Sequence, residues 1–161
     1  MGNPAAKPDY RPIVLDLFED LKKWLKPLER LQQYKNDYNL EEMNTNYVNY
    51  MLSYKKYRDE EIQDILSNTD YYYEVEKFAK ESFLFDILID GYSIDVNRAS
   101  GVERFLPILP YPEQLKLIEA FEGDKSILLE KSRRAGASLF MTFFMRRGLI
   151  HGDYFTMLTS H

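Results

Sequence analysis

The octapeptide Lys131-Ser132-Arg133-Arg134-Ala135-Gly136-Ala137-Ser138 lies between two segments of different periodicity. Upstream, Ser126 to Glu130 contains the apolar run Ile127-Leu128-Leu129, which suits a short buried strand. Downstream, Ser138 to Arg147 reads as a helix, with its buried side expected over Met141 to Met145. His151-Gly152-Asp153 then turns the chain, and Tyr154 to Leu158 reads as a second strand. Strand, loop, helix and strand make the opening unit of a parallel α/β sheet. The expected fold class is therefore α/β, with a helical segment leading into an incomplete nucleotide-binding domain.

The reading extends outward from there. Pro112 to Phe121 is a short amphipathic helix followed by a turn at Glu122-Gly123-Asp124, and residues 91–110, bounded by glycines and prolines, read as irregular. Before them the apolar spacing is helical throughout. Val14, Leu17, Leu21, Leu25 and Leu28 mark a first helix, which Pro27 should kink or restart by removing a backbone donor. A second helix is expected from Leu40 to Leu66, with Tyr47, Tyr50, Tyr54 and Tyr57 as a packing stripe beside Trp24. Ser67-Asn68-Thr69-Asp70 reads as a break and cap, and a third helix is expected over Tyr71–Ile89, with Val75, Phe78, Ala79 and Phe85 inward. The expected division is a flexible tail over 1–13, a helical lead-in over 14–100 and the start of a P-loop domain over 101–161.

A loop that holds nucleotide phosphates needs backbone N–H groups turned toward the oxygens. It also needs a cation for the β/γ phosphates and a hydroxyl for Mg²⁺. Against the pattern G-x-x-x-x-G-K-[ST], Gly136 and Ser138 match, while Lys131 replaces the first glycine and Ala137 the usual lysine. A long side chain at Lys131, leaving the end of a strand, can fold back over the phosphates and replace that cation.

The same residues fit the form K-S-x-R-x-G-x-S through Lys131, Ser132, Arg134, Gly136 and Ser138. In this the chain resembles the large terminase subunits, the DNA-packaging ATPases of tailed phages. The upstream string Tyr111-Pro112-Glu113-Gln114 resembles their adenine-recognising glutamine motif, in which an amide reads the base edge and an aromatic ring stacks on it. The likeness covers about residues 105–161 and implies an ASCE-type P-loop domain. It implies ATP held by Tyr111, Gln114, Lys131, Ser132, Arg134, Ala135, Gly136, Ala137 and Ser138, with Mg²⁺ on Ser138. Arg133 or Arg134 would act on the γ-phosphate in cis as the catalytic group. Double-stranded DNA, a portal protein and a small terminase subunit are the implied partners, and the host cytoplasm the implied location.

Hydrolysis would further require a Walker B carboxylate and a glutamate that positions water. Asp153 is the sole carboxylate after Ser138, and Phe85-Asp86-Ile87-Leu88-Ile89-Asp90 precedes the loop and continues a helical pattern. The expectation is thus the front, ATP-binding part of such a motor, without turnover of its own. The alternative is a terminase-like interaction protein that docks on a packaging partner through its tyrosine-rich helices.

Composition narrows the classes. The 161 residues are 45% hydrophobic and 15% aromatic, enough for a packed core, and contain no cysteine for disulfides or thiolate metal sites. Two histidines make an imidazole-built zinc site unlikely to form. No apolar run reaches the roughly 20 residues of a membrane span, and the N-terminus lacks the apolar stretch of a secretion signal. Residues 1–100 hold 13 Lys and Arg against 19 Asp and Glu, so that part is poorly suited to phosphate contacts with nucleic acid. Glu74, Glu76 and Asp59-Glu60-Glu61 read as solvated faces, and the cations concentrate at Lys131, Arg133, Arg134, Arg146 and Arg147.

Overall fold

The computed structural model describes residues 8–28, 40–97, 102–123 and 137–152. Six long helices and one hairpin follow in the order α1 (Arg11–Lys23), α2 (Leu40–Ser67), α3 (Thr69–Glu81), α4 (Phe83–Asp90), β1 (Tyr92–Asn97), β2 (Val102–Pro107), α5 (Pro112–Glu122) and α6 (Ala137–His151). The described chain is mostly helical, and its one sheet is an antiparallel pair. Both strands of the parallel unit expected at 126–130 and 154–158 lie outside the described residues.

Helix α1 starts at Arg11, earlier than the apolar pattern suggests, and buries Val14, Leu17 and Leu21 on one face. It stops at Lys23. The N–H groups of Trp24 and Leu25 turn back to Leu21 and Lys22 in tight i to i−3 bonds, and helical structure resumes over 26–28. Pro27 accounts for the restart, because it has no N–H to give Lys23 and its ring crowds that carbonyl.

Helix α2 runs for 28 residues and lays its tyrosines on α1 as expected. Trp24 meets the rings of Tyr50, Tyr54 and Tyr57 at 5.4, 5.3 and 5.4 Å. The phenols are satisfied by backbone, Tyr50 donating to the Trp24 carbonyl and Tyr54 to that of Leu88, each at 2.7 Å. Burial pushes the Tyr50 phenol up to about 12 and raises that of Tyr54 as well, so both remain neutral donors.

Asn68 caps α3 with its side-chain oxygen on the Asp70 N–H at 3.0 Å, which matches the expected break. The third helix, however, is two helices. Ser82 takes an extended conformation (φ −122°, ψ 117°) and its Oγ accepts from the Phe85 N–H at 3.3 Å, so it ends α3 and caps α4. The Phe83 N–H is taken by the carboxylate of Glu122, from the end of α5. A Ser followed by apolar residues and Asp86 is a recognisable start signal, but only the partner Glu122 makes a mid-helix break stable.

Residues 91–110 are likewise more ordered than expected. Tyr92, Ile94 and Val96 alternate with Ser93, Asp95 and Asn97, a period-two pattern, and pair with β2 in the register Tyr92↔Pro107 to Asn97↔Val102. The expected division at 100/101 falls between these paired strands.

Two apolar cores result. The larger joins α1, α2, α3 and α4 with Leu106 and Leu109 after the hairpin. The smaller gathers Phe83, Ile87, Ile108, Leu117, Ile118 and Phe140 from α4, α5 and α6. On α6 the buried residues are Phe140 and Arg147, one heptad apart, whereas Met141 is 36% exposed. The inward face therefore differs from the Met141–Met145 side read from sequence, because the aromatic cluster of Phe83, Phe121 and Phe144 sets the roll of the helix.

Candidate functional site

Of the residues expected to hold nucleotide, Lys131, Ser132, Arg133, Arg134, Ala135 and Gly136 lie outside the described residues. Their flanks are described. Ala137 opens α6 and Ser138 is exposed in its first turn, its carbonyl accepting from the Thr142 hydroxyl at 2.9 Å. On the other side of the loop, α5 packs directly on α6, with Phe121 and Phe144 stacked at 4.9 Å. The helices that precede and follow the loop thus share one core.

Tyr111 and Gln114 sit together at the start of α5, though in roles of their own. Pro112 occupies the first turn, where a missing N–H costs nothing. Gln114 reaches back so that its Oε1 accepts the Tyr111 N–H at 2.9 Å, one half of a capping box. The Tyr111 ring is half-buried and stacked on Tyr47 at 6.1 Å with an interplanar angle of 19°. Burial raises its phenol pKa, against a hydrogen bond to Tyr47 that lowers it. Both expected adenine contacts are therefore also structural contacts: one caps a helix and the other ties α5 to α2.

A second group of functional side chains converges where sequence reading saw only solvated faces and a helix end. Between the end of α2, α3, α4 and the last turn of α6 lies a cleft of about 260 Å³. Leu66, Val75, Ala79 and Ile89 line it, and Tyr72, Glu76, Asp86, Asp90, Arg146 and His151 supply its polar groups. Glu76 accepts the Tyr72 hydroxyl at 2.8 Å, and Arg146 binds the Asp90 carboxylate. Glu74 is no solvated residue either, being paired with Arg11 at 3.9 Å and Lys77 at 3.4 Å. Beside the cleft Arg147 is buried, donates to the Lys80 carbonyl in the last turn of α3 and lies over the Phe83 ring. Its charge sits at the negative end of α3. Asp86 belongs to α4, as its helical spacing indicated, and is 7% exposed.

Burial raises the pKa of the Asp86 carboxyl; Arg146, Arg147 and His151 pull it down, and Asp90 pushes it further up. Desolvation prevails because no hydrogen bond reaches the carboxylate and the nearest cation, Nη1 of Arg146, is 3.9 Å away. The sign for stability follows. A raised acid binds its proton more tightly in the folded state, so folding loses stability as pH rises from the ordinary aspartate range, about 4, to the raised value. Asp86→Asn is thus expected to raise the urea midpoint near neutral pH and to leave it unchanged below about pH 4. Equal midpoints across that range would show that the arginines fully offset the burial.

Comparison with protein-family models, with curated proteins and with solved structures finds no match to this chain. The class of the site therefore rests on its own residues. Among the described residues, no helix is long and apolar enough to cross a membrane, and no group of three His, Asp or Glu is arranged to hold a metal ion.

Proposed function

We propose that this chain is the N-terminal, ATP-binding part of a terminase-like DNA-packaging ATPase. The carrying observation is that the sequence Lys131 to Gly136 runs directly into the N-terminus of α6, with Ser138 exposed in the first turn. A helix start presents unpaired N–H groups and a positive dipole end, the two features a phosphate group requires. Ser138 is placed for a hydroxyl that would meet Mg²⁺, which in turn would neutralise the β/γ oxygens. Lys131 would supply the cation that Ala137 cannot, and Arg133 or Arg134 the charge for the γ-phosphate. The parallel P-loop sheet belongs to this reading, as do double-stranded DNA, a portal protein and a small terminase subunit as partners in the host cytoplasm.

Gln114 qualifies the adenine contact. Its Oε1 already accepts the Tyr111 N–H, so a base that needs the acceptor half of the amide must displace the cap. Base recognition should add little affinity, and the phosphates should dominate. The alternative, docking through the tyrosine stripe, loses its surface: Tyr54 is fully buried, and Tyr50 and Tyr57 pack on Trp24.

Titration with a fluorescent ATP analogue in the presence of Mg²⁺ tests the reading. Lys131→Ala should weaken binding about tenfold or more, the loss of a charge-assisted contact, and Ser138→Ala should remove the Mg²⁺ dependence. Gln114→Ala should change affinity by less than about threefold while lowering thermal stability through the lost cap. Undiminished affinity in both Lys131→Ala and Ser138→Ala would end the proposal.

A further inference from the structure

The cleft beside Asp86 takes no part in the nucleotide reading. Its chemistry is specific. The side chain of Asp86 is 9% exposed, lines the cavity and receives no hydrogen bond. Arg146 does not satisfy it, because its Nη2 is engaged by Asp90 and its Nη1 stays 3.9 Å away. A carboxylate removed from water without a donor is costly, and it favours any donor that enters the cavity. Three carboxylates, Glu76, Asp86 and Asp90, face one arginine and His151 there, so the cleft is negative overall. The walls beside Asp86 are aliphatic, from Val75, Ala79 and Ile89.

From this geometry we infer that the cleft is a binding site for a primary alkylammonium group. The head would donate to Asp86 and Asp90, and the methylene stem would lie along Val75, Ala79 and Ile89. An ammonium suits the site better than a guanidinium. It is a compact charge with three rotatable donors, able to reach a recessed carboxylate past Arg146, whereas a planar fork needs a carboxylate open on its edge. A metal ion is disfavoured, since the carboxylates are not arranged to share one. The chemistry is common to a free alkyl diamine and to a lysine side chain of a partner protein.

Isothermal titration of the full chain with n-pentylammonium, 1,5-diaminopentane and N-acetyl-lysine amide tests the site, with pentanoate and pentanol as controls. The ammonium probes should bind saturably and both controls should fail to. Asp86→Asn should weaken the ammonium probes about tenfold or more, the loss of a charge-assisted contact. Asp90→Asn, at an exposed position that does not endanger folding, should weaken them as well, since it releases Arg146 toward Asp86. Glu119→Gln, on the exposed face of α5, should leave binding unchanged. Tighter binding of the diamine than of the lysine amide assigns a small-molecule ligand, and the reverse order assigns a protein lysine. Binding of pentanol or pentanoate as strong as that of pentylammonium, or undiminished binding in both aspartate variants, would overturn the site.

Discussion

Arg58→Ala is expected to lower the stability of this protein by about 3 kcal/mol, as judged from the size of its polar losses. Arg58 projects from α2 into the core and is 2% exposed. Its Nη1 donates to the carbonyls of Leu88 at 3.1 Å and Gly91 at 3.2 Å, at the C-terminal end of α4. The guanidinium lies 3.9 Å from the centre of the Tyr92 ring. Carbonyls at a helix end have no partner within the helix, and a buried cation there answers both the missing donors and the negative end of the dipole. Truncation orphans two acceptors at roughly 1–3 kcal/mol each and leaves a cavity beside Tyr54 and Tyr92.

An opposing term exists. Nη2 of Arg58 is buried with no partner among the described residues, and no carboxylate pairs with the guanidinium there. The desolvated charge therefore offsets part of the gain. The two terms separate in Arg58→Met, which keeps the packing volume and removes the charge. If the carbonyl contacts dominate, both variants lose stability in urea denaturation, alanine more than methionine. A methionine variant as stable as the parent would show that Arg58 is tolerated and not needed.

Gly91→Ala carries the second large effect, expected at roughly 2–3 kcal/mol of destabilisation, in the range of overpacked cores. The backbone at Gly91 is ordinary, with φ −73° and ψ 121°, so no torsional strain is involved. Space is the reason. A Cβ there would stand 2.3 Å from the Ile87 carbonyl oxygen, which accepts the Gly91 N–H at 2.8 Å. The residue cannot back away, because its own carbonyl accepts from the Ile108 N–H at 3.0 Å and from Arg58. Helix, hairpin and buried arginine all meet at this one residue. Replacing glycine at an open site with ordinary φ commonly stabilises by about 0.4–1 kcal/mol through the unfolded chain, so the expected sign is opposite to the generic one. Thermal melting decides it: a fall of roughly 5–10 °C is expected for a chain of this size, and an unchanged or higher midpoint refutes the packing argument.

Legibility followed the range of the interaction. The helix starts and stops that depend on residues within one turn were readable: the restart at Pro27, the Asn68 cap and the Pro112 start. So was the tyrosine stripe, because a 3.6-residue spacing of large rings leaves one face to bury. The hairpin was readable in principle from the alternation at Tyr92, Ile94 and Val96, but the flanking glycines and prolines outweighed it. The break at Ser82 was half readable. Its cap is local, while the Glu122 carboxylate that completes it lies 39 residues away.

For the nucleotide site, the residue pattern alone determined what this protein shares with packaging ATPases: an ordered set of glutamine motif, apolar run, loop and helix. Its chemistry rests on residue types at fixed spacing along the chain, and spacing is a property of sequence. Tertiary structure alone decided that Gln114 serves as a cap and that Tyr111 is stacked on Tyr47. It also turned Asp86 from one turn of an apolar helix into the buried acid of a cleft shared by four helices. Burial and charge pairing arise between residues far apart in the chain, such as Asp86 and Arg146, and periodicity along one helix carries no record of the face that another helix will cover.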